Sequence, residues 1–144
     1  PSAELLVLDF YDPAIHTEIS IHRARKAYPP YPGTQSVTSI DLPILSQSVD
    51  CIFLCLSAHE IRDEAERVSF FKELKRVLTT DGKIYVTEHQ RDVANFLVYS
   101  IGAFHFHSPK TWRTTFQAAG LAIDEKVKTT PFVTTYTLSH GATH

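Results

Sequence analysis

Along this chain, short unbroken apolar runs alternate with stretches whose apolar residues recur every three or four positions. Leu5-Leu-Val-Leu8 is wholly apolar, the pattern of a strand covered on both faces, as in a parallel sheet. Asp12-Pro13 then has the chemistry of a helix start: Asp suits the N-cap, and Pro suits the first helical position, where its missing N–H is not needed. The predicted helix runs through Ile15, Ile19 and Ala27 and stops before Pro29. Gln35 to Ile40 reads as a weaker strand ending at Asp41. Asp50 to Leu56 is the strongest strand, with consecutive apolar side chains from Cys51 onward that call for cover on both faces and a central place in the sheet.

Behind an Asp63/Glu66 capping pair, Val68, Phe71, Leu74, Val77 and Leu78 recur at helical spacing. Asp81-Gly82 marks a turn before a strand over Lys83–Thr87. Arg91 to about Ile101 is predicted helical. Ser108-Pro109 caps another helix, which places Trp112 and Phe116 one turn apart and ends at Gly120. Leu121–Lys128 and Phe132–Ser139 are strands joined so tightly at Thr129-Thr-Pro131 that they must be antiparallel. Strands alternating with helices indicate an α/β sheet, and the closing hairpin adds an antiparallel strand to it.

The length of 144 residues fits a single domain, 1–144. The composition is ordinary globular, 43% apolar and 21% charged, so a core is within reach. A net charge of -2 without a Lys/Arg block argues against nucleic acid or an anionic membrane as partner. No apolar run reaches the roughly 18 residues of a spanning helix. Without a charged-then-apolar leader, a cytoplasmic location is the default expectation. Cys51 and Cys55 share one predicted strand, which puts their Cα atoms about 13 Å apart. That is too far for a disulfide, and buried free thiols are expected.

Several pieces stand in a telling order: Val7-Leu-Asp9, Asp41-Leu-Pro43, Ser48-Val-Asp50-Cys-Ile-Phe53, Phe71 to Leu78, Asp81-Gly-Lys-Ile-Tyr-Val86 and Ala118-Ala-Gly-Leu121. Together they resemble the class I S-adenosylmethionine (SAM) methyltransferases of small-molecule type, over nearly the whole chain. The resemblance implies a three-layer, Rossmann-like sheet, mostly parallel with a C-terminal antiparallel hairpin. It implies SAM as cofactor, a small molecule as methyl acceptor, and an in-line displacement in which positioning supplies most of the acceleration.

The resemblance also assigns residues. Asp9, ending the second family strand, matches the acceptor of the two ribose hydroxyls, with Phe10 beside it. A carboxylate suits that task because it can accept two neighbouring O–H groups. A strand-end carboxylate is the plain alternative, and Asp12 the competing one. Asp41 matches the acidic residue near the adenine amino group, with Leu42 against the base; a turn Asp before Pro43 is the alternative. The segments after the next two strands, Ser57-Ala-His-Glu60 and Glu88-His-Gln-Arg-Asp92, belong at the carboxyl ends where open α/β sheets bind ligands. Ser57 is a cofactor contact there. His59 and His89, supported by Glu60 or Glu88, are candidate catalytic groups, because imidazole can take a proton near neutral pH. The same residues could simply cap the following helices. His105 and His107 alternate with Phe104 and Phe106; no third ligand is evident nearby, so no metal is expected, and packing around the acceptor pocket is. Phe96, Tyr99 and Trp112 fall in that region too.

One family element has no counterpart. The first strand and its Gly-rich loop, which brings backbone N–H groups close to the methionine part of SAM, match nothing here: none of the five glycines forms a Gly-x-Gly cluster. The expectation is a methyltransferase fold lacking its first strand, with SAM binding weakened and open strand edges available for a homodimer. The rival reading is a non-catalytic, methyltransferase-like oligomerisation module.

Overall fold

The computed structural model describes residues 4–15 and 19–141. The chain divides into two compact units, residues 1–43 and 44–144.

In the first unit, β1 (Leu8–Asp9) pairs in parallel with β2 (Gln35–Ser36), Leu8 opposite Gln35 and Asp9 opposite Ser36. Between them lies α1 (Ile19–Ala27). Asp12 makes a turn, its Oδ1 accepting the Ala14 N–H at 2.8 Å and its carbonyl the Ile15 N–H at 3.1 Å. The stretch that would join this turn to α1, residues 16–18, lies outside the described residues. The predicted strand over Gln35–Ile40 shrinks to two residues, followed by an isolated bridge between Thr38 and Asp41.

The second unit holds a four-stranded mixed sheet in the order β3 (Val49–Cys55), β4 (Leu78–His89), β6 (Val133–His140), β5 (Leu121–Lys128). β3 runs parallel to β4, while β6 is antiparallel to both β4 and β5, as the short Thr129–Pro131 connection requires. The predicted turn at Asp81-Gly82 sits in a register break: Val49 faces Leu78, whereas Cys51 already faces Lys83. A Cβ on Gly82 would come within 2.6 Å of the Leu78 side chain and 3.0 Å of the Asp50 carbonyl, so glycine lets this part of β4 lie close against β3.

Helix α2 (Glu64–Val77) begins with Asp63 accepting the Glu66 N–H at 2.8 Å. It turns Phe70, Phe71, Leu74 and Val77 inward. Helix α3 (Val93–Tyr99) is capped by Asp92 and runs into a 3-10 segment over Ser100–His105. Helix α4 (Pro109–Ala118) is capped by Ser108, whose Oγ accepts the Thr111 N–H at 3.1 Å, and Gly120 ends it at φ 72°. Phe71, Trp112 and Phe116 are fully buried, with Trp112 stacked on Phe116 at 5.7 Å and Phe116 edge-on to Tyr136 at 5.3 Å. Each such ring contributes roughly 2–3 kcal/mol of burial.

Two expectations fail here. The apolar strand β3 is not central: it is the outer strand of its sheet, and Phe53 is 68% exposed. Its side chains suit a strand with two neighbours, and among the described residues it pairs only with β4 in that sheet. For the same reason Cys51 and Cys55 are exposed free thiols rather than buried ones.

Candidate methyltransferase site

The chemistry of the second unit gathers where β3 and β4 end. Cys55 lies opposite Thr87, so Glu88, the next residue on β4, reaches the backbone that leaves β3. There Leu56 adopts φ 53°, unusual for a branched residue without glycine's freedom, and turns the chain into a short 3-10 segment, Ala58–Glu60. Glu88 is fully buried. Its Oε1 accepts the backbone N–H groups of Ser57, Ala58 and His59 at 3.0, 2.7 and 3.3 Å. A carboxylate is a fitting cap for this cluster of otherwise unpaired donors.

The other oxygen of Glu88 lies 2.7 Å from His59 Nδ1, and His59 Nε2 lies 3.0 Å from Oε1 of Glu60. Burial alone would lower the pKa of His59, but the hydrogen bonds and charges of Glu60 and Glu88 outweigh it and raise it to about 9. At neutral pH His59 is therefore an imidazolium held between two carboxylates. Its hydrogen bond in turn lowers the Glu60 carboxyl, against burial and with help from His105 and Arg62. Arg67, buried behind this segment, donates to the carbonyls of Ile61 and Arg62 and to Thr115 Oγ1, tying the 3-10 segment to α4.

His89, the next residue on β4, is built differently. Its Nδ1 lies 3.0 Å from the Phe132 carbonyl, which can only accept, so Nδ1 is the donor, and Nε2 is the nitrogen that carries the lone pair in the neutral ring. The Asn95 amide donates to the same carbonyl at 2.9 Å. The His89 ring stacks on Phe106 at 5.0 Å and meets Tyr99 edge-on at 5.5 Å. Phe106 is also edge-on to His59 at 6.2 Å, so one aromatic ring separates the two imidazoles.

The structure thus brings Ser57, His59, Glu88 and His89 together. The remaining predicted residues belong to the first unit. Asp9 Oδ1 accepts the Tyr11 N–H at 3.0 Å and Arg25 Nη2 at 2.6 Å. Phe10 is half-buried, Asp41 is exposed with its carbonyl taking the Thr38 hydroxyl, and Leu42 is buried. Of the aromatics predicted around an acceptor, Phe96 and Phe104 pair at 4.9 Å and Tyr99 and Phe106 at 5.3 Å. Trp112 instead belongs to the core, with His107 edge-on to it at 5.3 Å. Burial, then the charges of Arg67, Arg62 and His59, lower His107 to about 4, so it is neutral where His59 is charged.

The sequence reading missed how His105 joins this cluster: its Nε2 lies 3.9 Å from Oε1 of Glu60. The two are far apart in the chain, and only the aromatic alternation around His105 hinted at a site.

The family described as Methyltransferase domain matches residues 7–86, more than half of the chain. The chain belongs to that family. Solved structures agree on the fold. An SAM-dependent methyltransferase from Aquifex aeolicus is 15% identical with a TM-score of 0.62, the match covering 91% of this chain and 65% of that one. A Clostridium acetobutylicum S-adenosylmethionine-dependent methyltransferase is 13% identical with a TM-score of 0.64, covering 94% and 74%. A Pyrococcus horikoshii protein is 13% identical with a TM-score of 0.69, covering 95% and 71%. The chain therefore spans less than two thirds of the Aquifex protein's length. No curated protein matches it. The methyltransferase-like α/β fold with a mixed sheet is as expected, and no helix among the described residues is long and apolar enough to cross a membrane.

Proposed function

We propose that this chain transfers the methyl group of SAM to a small-molecule acceptor, with His89 receiving the acceptor's proton. The observation that carries this reading is how His89 is held: Nδ1–H is committed to the Phe132 carbonyl and the ring stacks on Phe106 and meets Tyr99 edge-on, so in the neutral ring Nε2 is the nitrogen able to take a proton. SAM supplies an electrophilic methyl on a sulfonium. Positioning the acceptor oxygen or nitrogen in line with it, and removing the acceptor proton to His89 Nε2, is the protein's part. His59 and Glu88 have a positioning role in this proposal, because an imidazolium between two carboxylates has no lone pair to offer.

In the first unit, Asp9 is the proposed ligand of the ribose hydroxyls, and Asp41, with Phe10 and Leu42, the proposed adenine contact. Asp9 ends its strand with a carboxylate whose two contacts among the described residues both fall on Oδ1. The methionine part has no Gly-x-Gly cradle in this chain, so weaker binding than usual belongs to the proposal. The exposed outer face of β3 makes a homodimer part of it as well, read by light scattering.

The test is methyl transfer from labelled SAM to a panel of hydroxyl- and amino-bearing aromatic acceptors. His89→Ala is expected to slow turnover by about 10²-fold or more while leaving SAM affinity unchanged. Unchanged turnover removes His89 from the reaction. Binding without turnover on any acceptor favours the non-catalytic module, the second reading, which the uncovered β3 and the lack of a Gly-x-Gly cluster support.

A further inference from the structure

Beside His89, one cluster holds ligand-type atoms that take neither a proton nor the methyl group in the proposed transfer. His59 Nε2 and His105 Nε2 lie 3.0 and 3.9 Å from the same oxygen, Oε1 of Glu60, and the donor atoms of the three residues all lie within 4.8 Å of one another. A tetrahedral ion with bonds of about 2.0–2.2 Å holds its ligand atoms roughly 3.3–3.5 Å apart. The two spacings to Glu60 bracket that value, and His105, the half-exposed member, is the one that must move to close the set. An independent feature points the same way. The far nitrogen of His59 is held at 2.7 Å by Glu88, whose other oxygen is fixed by three backbone N–H groups. Metal-ligating histidines characteristically give their second N–H to such an anchored carboxylate.

We propose that His59, Glu60 and His105 form a binding site for one divalent first-row transition ion of zinc type, with Glu88 as the outer carboxylate that orients His59. Two imidazoles and a carboxylate suit such an ion better than calcium or magnesium, which prefer oxygen ligands alone. Binding displaces the proton on His59 Nε2 to solvent, and Glu60 turns from a hydrogen-bond acceptor into a ligand. Three protein ligands leave a fourth position for water or a ligand oxygen. Arg62 competes for the site: it donates to the His105 carbonyl, and its guanidinium lies against both ring nitrogens of His105, 2.6 Å from Nδ1 and in contact with Nε2, the proposed ligand atom. The ion takes over the place of that cation, and the exposed arginine swings into solvent.

The experiment is equilibrium dialysis of the chelator-treated full chain against Zn²⁺, with metal analysis, in a background carrying Cys51→Ser and Cys55→Ser to remove the exposed thiols. One ion per chain is expected. His105→Ala and Glu60→Gln should each weaken binding at least about tenfold, with folding checked by circular dichroism. His105 is on the surface of a 3-10 segment, so its variant is expected to fold; Glu60→Gln provides an isosteric second case. No saturable binding in the thiol-free background overturns the proposal. So does a folded His105→Ala or Glu60→Gln chain that binds as tightly as its parent.

Discussion

Replacing Glu88 should unmake the turn that follows β3. The carboxylate is fully buried and serves four donors, the N–H groups of Ser57, Ala58 and His59 and the imidazolium of His59. Glu88→Ala leaves three N–H groups without their acceptor, each costing about 1 kcal/mol or more. It also removes one of the two counter-charges of a buried cation, and breaking such a pair costs about 3–5 kcal/mol. The effects overlap, so the expected loss is about 4 kcal/mol, a large share of the 5–15 kcal/mol typical of a domain. Glu88→Gln separates the two parts. Its carbonyl oxygen can still take the backbone N–H groups, but its amide cannot accept from His59 on the other side. That variant should lose about 2 kcal/mol near pH 6. The gap to wild type should shrink as pH rises through about 9, where the His59 charge disappears from the wild-type protein as well. The assay is denaturant unfolding followed by the fluorescence of Trp112, the single tryptophan, which is wholly buried. A Glu88→Ala chain within about 1 kcal/mol of wild type, or a Glu88→Gln gap indifferent to pH, refutes the reasoning.

The wild-type protein carries a related signature. The folded-state pKa of His59 is raised to about 9 from an ordinary value of 6.5, so its contribution is complete below about pH 6.5 and is lost as pH rises through about 9. Up to about 3 kcal/mol should vanish across that window. A histidine NMR titration should assign the high value to His59, and no histidine titrating above about pH 8 would contradict it. Trp112→Ala should cost about 3–5 kcal/mol by opening a cavity between Phe71 and Phe116, measured by denaturant unfolding followed by circular dichroism. Gly120→Ala should destabilise by about 1 kcal/mol or more, since φ is 72° there and the new Cβ would meet Lys75 Nζ at 2.8 Å; a neutral change in melting temperature would count against that backbone reading.

Most of the fold was legible because local chemistry and tertiary demand agree. Asp63 and Ser108 cap the helices they were expected to cap, Gly120 ends α4, and the short Thr129–Pro131 link makes an antiparallel pair. Where they disagree, the sequence misleads. The apolar run of β3 suits a strand with a neighbour on each side, whereas here Phe53 and both thiols are exposed. The first unit was harder still, because two residues of pairing leave little periodicity to read in Gln35–Ile40.

The candidate site was legible by place rather than by role. Residues at the carboxyl ends of parallel strands were expected to carry the chemistry, and His59, Glu88 and His89 do meet there. No sequence signal distinguishes a charged His59 from a neutral His107, because the difference lies in which carboxylates and guanidinium groups arrive from other elements. Likewise, Glu60 and His105 approach each other only through the fold.

The most direct test of the methyltransferase reading is calorimetric titration of the chain with SAM and S-adenosylhomocysteine, repeated with Asp9→Asn. The account predicts saturable binding with a Kd at or below about 1 mM. It predicts a loss of roughly fivefold or more on removing the carboxylate charge from Asp9, corresponding to about 1 kcal/mol or more per charge-assisted hydrogen bond. A folded chain that gives no saturable heat with either ligand, or that binds both equally well as Asp9→Asn, contradicts it.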